Sequence, residues 1–383
     1  MEKVLDNAFA KAENDNVSQW NEEKLGDLIE IKYGKDHKKL NNGNIPCFGS
    51  GGIMRYVDTQ LYDEESILIP RKGSLNNIMY QNNPFWTVDT MFWSKIDKTK
   101  VFPKFLFYQL TLIDYTILNV GSAVPSLTVS VLNDIDVTLP PLPEQKAIAT
   151  VLSSLDTKID LLHRQNKTLE ELAKTLFRQW FYENIEDCKF EKLGNYVNTI
   201  DNRGKTPPNK PEKTNFPLIE VNALKDETRL VDYSVIRKYV DEEIFEGWFR
   251  AHPKKYDTLF STVGSIAEVS MFLLEIGSIA QNVVAFSPIN GMSPFYLYEV
   301  LCFYQRDIKE FDIGSVQPSI KVSHLMDYEI PIPIDLTKIE KFDQIILGNC
   351  NKMELNYKEI KNLEKLRDTL LPKLMSGEVR VKQ

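Results

Sequence analysis

Four cysteines and four histidines in 383 residues are too few and too scattered to build a structural metal site. Cys47, Cys188, Cys302 and Cys350 form no C-x-x-C pair, and His37, His163, His252 and His324 lie far apart. This cysteine usage fits a reducing compartment, and a cytoplasmic location is expected. The opening MEKVLDNAFAKAENDNV lacks the apolar core of a secretory signal. No run approaches the ~20 apolar residues of a membrane span. The nearest, Val269–Phe286, is interrupted by Glu275, Ser278, Gln281 and Asn282. Positive charge is scarce too, with 46 Lys and Arg against 54 Asp and Glu and a formal net charge of −8. Taken alone, that balance argues against a nucleic-acid partner. Net charge describes a whole surface, however, and not a single cleft.

Catalytic signatures are missing as well. Gly204-Lys205-Thr206 resembles a phosphate-binding loop, but Thr199 stands where its first glycine is required and Pro207-Pro208 forbids the following helix. Phe48-Gly49-Ser50-Gly51-Gly52 has the wrong phase for the glycine motif of methyltransferases. Asn82-Asn83-Pro84-Phe85 is near, but not, the Asn-Pro-Pro-aromatic motif of adenine methylation. No Gly-x-Ser-x-Gly elbow occurs, and the carboxylate runs Asp63-Glu64-Glu65 and Asp241-Glu242-Glu243 read as solvated faces. The chain is expected to be non-catalytic.

What is present is an internal repeat. Glu23-Lys24-Leu25-Gly26 returns as Glu191-Lys192-Leu193-Gly194, and Gly73-Ser74 as Gly264-Ser265. Gly121-Ser-Ala-Val-Pro-Ser-Leu127 aligns without gaps to Gly314-Ser-Val-Gln-Pro-Ser-Ile320, and Leu169–Leu176 to Leu363–Leu370. The offset grows from 168 to 191 early and then holds at 193–194. Two halves that differ at their starts and agree at their ends describe a duplicated unit, a variable domain followed by a constant element.

The constant element reads as a long helix. Pro143 suits a first helical turn and Glu144 its positive end. Ile148, Leu152, Leu155, Ile159, Leu162, Asn166, Leu169, Ala173, Leu176 and Trp180 then follow at alternating spacings of 4 and 3. This is a heptad seam with Asn166 at an a position. The same register in the second half gives Phe342, Ile346, Asn349, Met353, Asn356, Ile360, Leu363, Arg367, Leu370 and Leu374, with Gly377 as a stop. A single apolar stripe usually packs on its own domain. Two equivalent stripes of such length bury each other best, as an intramolecular, antiparallel coiled coil.

The remaining segments, 17–141 and 184–333, are short β-prone runs broken by Gly, Asn, Asp and Pro. Each ends in a helical turn, with Ser130 or Ser323 as the expected cap, and a strand, DVTLP or YEIPIP. The fold class expected is α+β: two domains of mixed α/β structure joined by two long helices, at 142–183 and 334–377. Loops in both domains carry residues suited to a duplex. Arg71, Lys72, Ser74, Asn76 and Asn77 surround Gly73, and Arg203, Lys205 and Thr206 surround Gly204. The repeated Gly-Ser-x-x-Pro-Ser turns add Ser122 and Ser126 in one half, and Ser315, Gln317, Ser319 and Lys321 in the other, beside Ser265. Cations and hydroxyls grip phosphates, while Asn, Gln and Arg can pair with base edges. Singly, each loop reads as ordinary solvated turn chemistry; recurrence at matching places favours a site.

Gly121-Ser-Ala-Val-Pro-Ser-Leu127, Leu139-Pro-Pro-Leu-Pro-Glu-Gln-Lys146 and Leu370-Leu-Pro-Lys-Leu-Met-Ser-Gly-Glu-Val379 resemble the specificity subunits of type I restriction–modification systems. The resemblance runs from Val17 to the C-terminus and leaves the first 16 residues as a separate lead. It implies two target-recognition domains, each reading one half of a split, asymmetric sequence in double-stranded DNA. It also implies two methyltransferase subunits and two restriction subunits as partners, which bring S-adenosylmethionine, ATP and magnesium. A coiled-coil scaffold that reads no DNA is the alternative from another class, and it predicts binding independent of DNA sequence.

Overall fold

The computed structural model describes residues 9–11, 20–204, 206–225, 227–314 and 316–381. The chain forms two compact units, Met1–Ile159 with Asn362–Gln383, and Asp160–Lys361. Both contain helices and sheets, as the sequence predicts.

In the first unit an antiparallel sheet orders Ile29–Tyr33, Met91–Ile96, Ser66–Pro70 and Met79–Gln81. Its strand Ser66–Pro70 is buried at every position, so it reads as an apolar run and not as an alternation. Its one hydroxyl is satisfied, since Ser66 Oγ donates to the Ser94 carbonyl at 2.8 Å. A second sheet sets Gly52–Val57 antiparallel and Trp86–Thr87 parallel to Asn42–Gly49. Asn21–Lys24 pairs with Asp136–Leu139, closing the start of the domain onto its end. Phe9–Lys11, inside the lead segment, forms a strand antiparallel to Val379–Val381.

The second unit repeats this plan. Val197–Asp201, Val283–Pro288, Thr258–Ser261 and Val269–Met271 form the antiparallel sheet in the same order. Phe216–Ile219 takes Tyr239–Val240 antiparallel and Ser278–Ile279 parallel. Cys188–Lys192 pairs with Glu329–Pro333. The repeat seen in sequence is thus a repeat of topology. The growth in offset falls between Asp201 and Thr258, where the second unit carries the extra helix Glu242–Trp248. Each unit has a proline-started helix, Pro103–Leu110 or Pro294–Phe303, and a short closing helix, Val129–Asn133 or Val322–Asp327. The capping expectation is corrected by two residues. Thr128, not Ser130, accepts from the Val131 N–H, and Lys321 precedes the second closing helix without a side-chain cap.

The long helices are Leu142–Phe177, continued as a π turn through Tyr182, and Leu336–Met375. Gly377 follows at φ +76, the left-handed conformation in which glycine carries no Cβ penalty. Pairing is antiparallel within each unit. In the first, Ile148, Ala149 and Leu152 share a core with Leu374 and Met375, and Arg367 Nη1 donates to Asp156 at 3.0 Å. In the second, Ala173 and Phe177 share a core with Phe342 and Ile346, and Asn349 Nδ2 donates to the Leu169 carbonyl at 3.2 Å. Leu152, Ile159, Leu162, Ile346, Met353 and Ile360 are buried, while Leu155, Leu169, Leu176, Leu363 and Leu370 are half-buried. Gln145, from the proline-rich stretch, explains its own place. Its carboxamide is buried, accepts from Phe102 N–H and donates to the Pro140 carbonyl, both at 2.8 Å.

Asn166 meets a second seam asparagine. Asn356 Nδ2 donates to Asn166 Oδ1 at 2.7 Å, with both residues buried. Replacing Asn166 alone therefore leaves part of the Asn356 amide without its buried partner. Asn166→Leu is expected to cost about 1–3 kcal/mol. The double replacement with Asn356→Leu should recover most of that loss, because two apolar groups can substitute for a satisfied pair. Denaturant melts of the two variants check this, and equal destabilisation of both would contradict it.

Candidate nucleic-acid interface

Each unit brings two loops together in one way. In the first, Lys72 forms an antiparallel bridge with Ser126, the Gly73 N–H donates to the Pro125 carbonyl at 3.0 Å, and the Leu127 N–H to the Arg71 carbonyl at 2.9 Å. In the second, Val263 bridges Ser319, the Gly264 N–H donates to the Pro318 carbonyl at 2.9 Å, and the Ile320 N–H to the Thr262 carbonyl at 2.9 Å. Gly73 and Gly264 sit at φ +91 and +89, which explains why the repeat keeps glycine there. The loop after a central strand is thereby stitched to the Gly-Ser-x-x-Pro-Ser turn.

Several residues that sequence reading assigned to DNA are engaged within the protein. Arg71 Nη1 donates to the Asp89 carbonyl at 2.9 Å, and its guanidinium lies 5.5 Å from the Tyr33 ring centre. Asn76 accepts from the Tyr115 N–H at 2.8 Å and donates to Asp114, while Asn77 donates to the Ser50 carbonyl at 2.9 Å. These bonds brace the loop and leave Lys72, Ser74 and Ser122 exposed on it, with Ser126 half-buried behind them. In the second unit Arg203 is paired with Asp201, its Nε 2.8 Å from the carboxylate. Burial raises the Asp201 carboxyl, but the hydrogen bonds and charge of Arg203 outweigh it and hold it below its ordinary range. Lys205 and Ser315 lie outside the described residues.

The remaining predicted residues of the second unit converge. Thr206, Ser265 and Gln317 line one groove, with Lys321 exposed at the entry to the closing helix and Ser319 half-buried in the bridge. The groove adds Asn222, Lys225, Gln281 and Asn282, which sequence reading missed. Thr206 Oγ1 donates to Gln281 Oε1 at 2.9 Å. Gln281-Asn282 is embedded in an apolar strand-like run, so its exposure at a turn carries no local signal. Carboxamides, hydroxyls, two lysines (Lys225 and Lys238) and Glu220 form a surface suited to hydrogen-bonded recognition. Among the described residues no cluster of His, Cys, Asp or Glu could hold a metal ion, and no helix is long and apolar enough to cross a membrane.

Residues 17–171 match the family model described as the type I restriction modification DNA specificity domain. The chain is 25% identical to the type I restriction enzyme MjaIX specificity subunit of Methanocaldococcus jannaschii, over 95% of this chain and 94% of that one. The MjaVIII specificity subunit of the same organism is 23% identical over 73% and 70%. The fold resembles the crystal structure of the type I restriction–modification S subunit from M. genitalium, with a TM-score of 0.60, 18% identity, and coverage of 95% and 98%. Residues 17–171 thus carry a match to the type I restriction modification DNA specificity domain, and the chain as a whole is similar to specificity subunits of type I restriction–modification systems.

Proposed function

We propose that the chain reads a bipartite, asymmetric DNA sequence, one half with each unit, and holds methyltransferase and restriction subunits at that site. The observation that carries this reading is the recurrence of the stitched two-loop platform, with one backbone arrangement and different side chains in the two units. A common mount with exchangeable faces suits two different half-sites. Two methyltransferase subunits and two restriction subunits are the proposed partners, in the cytoplasm. S-adenosylmethionine, ATP and magnesium enter with them. The acidic net charge is compatible with this, since the platforms are local and partner subunits can supply further cations around the duplex. The test is to express the chain with its methyltransferase in a host free of other adenine methylation and to map the methylated bases. One split motif with two unlike halves is expected; no methylation above background contradicts the reading.

Lys72 offers a finer check. It is exposed, and among the described residues its ammonium group has no hydrogen-bond or ion-pair partner. Lys72→Ala should weaken binding by the assembled complex across DNA sequences and lower the salt slope of log affinity by about one unit, as one phosphate contact is lost. An unchanged salt slope would show that this side chain faces only solvent.

A further inference from the structure

The Gly-Ser-x-x-Pro-Ser turns of the two units share the same hydrogen bonds among their described residues but carry unlike side chains. In the first unit Asn119 Oδ1 accepts from the backbone N–H groups of Gly121 and Ser126, both at 2.8 Å. In the second, Asp312 Oδ1 accepts from Gly314 at 2.8 Å and Ser319 at 2.9 Å. The Val120 N–H donates to the Ser126 carbonyl at 3.0 Å, and the Ile313 N–H to the Ser319 carbonyl at 2.9 Å. A Cβ on Gly121 would stand 2.1 Å from the Val124 carbonyl oxygen, and one on Gly314 1.8 Å from that of Gln317. The backbone therefore closes tightly around the residue before the proline. That residue is Val124 in one unit and Gln317 in the other, at the gap-free offset of 193.

Both positions face outward. Val124 is 55% exposed, and Val316 beside Gln317 is 99% exposed, an unusual placement for valine on a loop the protein has gone to such lengths to fix. Gln317 is exposed, has no hydrogen bond among the described residues, and borders the groove that also holds Asn282 and Lys225. A rigid tip whose outward side chain differs between two otherwise matched platforms is what a reading position needs. Preorganisation removes the entropy of ordering the contact, and the side chain sets which base edge it fits.

We infer that positions 124 and 317 are equivalent specificity-determining positions, one for each half-site. Gln317 hydrogen-bonds a base edge, and Val124 makes apolar contact, for which the thymine methyl is the matching group. This rests on the DNA-reading function proposed above. The experiment is selection from a randomised duplex pool by the chain assembled with its methyltransferase, for wild type, Gln317→Val and Val124→Gln. Gln317→Val should lose roughly 5- to 150-fold of discrimination at one base position of one half-site, with the rest of the motif intact. Val124→Gln should change one position of the other half. If wild type selects a split motif and both variants select that motif unchanged, or weaken all positions uniformly, these tips do not read bases and the inference is overturned. If wild type selects nothing, the underlying reading falls with it.

Discussion

Arg229→Met is expected to cost roughly 3–5 kcal/mol, as the removal of one partner from a buried charge network does. That corresponds to a fall in melting temperature of roughly 6–20 °C for a body of this size. Arg229 is fully buried and joins three elements of the second unit. Its Nε donates to Glu170, on the first long helix, at 2.8 Å, and its Nη2 to Glu299 at 2.8 Å. Its Nη1 lies 3.7 Å from Cys350 Sγ on the second long helix, and its guanidinium 4.7 Å from the Tyr298 ring centre. Burial works against the guanidinium charge, but Glu170, with Cys350 and Glu299, holds its pKa above an already high value. Methionine would fill much of the volume and leave two buried carboxylates facing each other.

Glu299→Gln should behave differently. Two carboxylates against one guanidinium leave negative charge in excess, and burial pushes Glu299 up to about 7 despite Arg229. Between the ordinary carboxylate range and that value, the folded state holds a proton that the unfolded chain has released. This group therefore makes stability fall as pH rises through the window. Glutamine keeps an acceptor for Arg229 and removes that slope. Thermal melts between pH 5 and pH 8 compare the variants. A melting temperature for Arg229→Met within about 2 °C of wild type would show that the network contributes little.

How much of this was legible in the sequence follows from range and periodicity. The duplication, the two seams and the closing strands DVTLP and YEIPIP rest on local patterns that survive in the fold. The parallel pairings among the described residues, such as Phe48 with Thr87 and Ile219 with Ile279, join distant positions that no single turn connects. The helices Pro103–Leu110 and Pro294–Phe303 are buried and rich in aromatic residues, a composition equally suited to strands. Arg229 sits in a polar stretch that reads as exposed, and only the tertiary structure brings Glu170 and Glu299 to it.

Within the candidate loops, residue type does not show which side chains bond inside the protein. Arg71, Asn76, Asn77 and Arg203 have the chemistry of DNA contacts, yet their bonds go to Asp89, Tyr115, Ser50 and Asp201. A polar side chain in a turn can brace the loop or face a ligand, and residue type alone does not choose. Asn222, Gln281 and Asn282 reach the second platform from distant segments, so no single stretch displays them together.

The central claim is that each unit reads its own half of the target. It is tested most directly by replacing residues 17–141 with the corresponding segment of a specificity subunit that has a different target, leaving the rest of the chain unchanged. The hybrid is expressed with the methyltransferase in a host without other adenine methylation, and every methylated adenine is mapped. One half of the motif should be exchanged completely for the donor's while the other half keeps every base. A motif altered in both halves, or in neither at full methylation, would contradict the account.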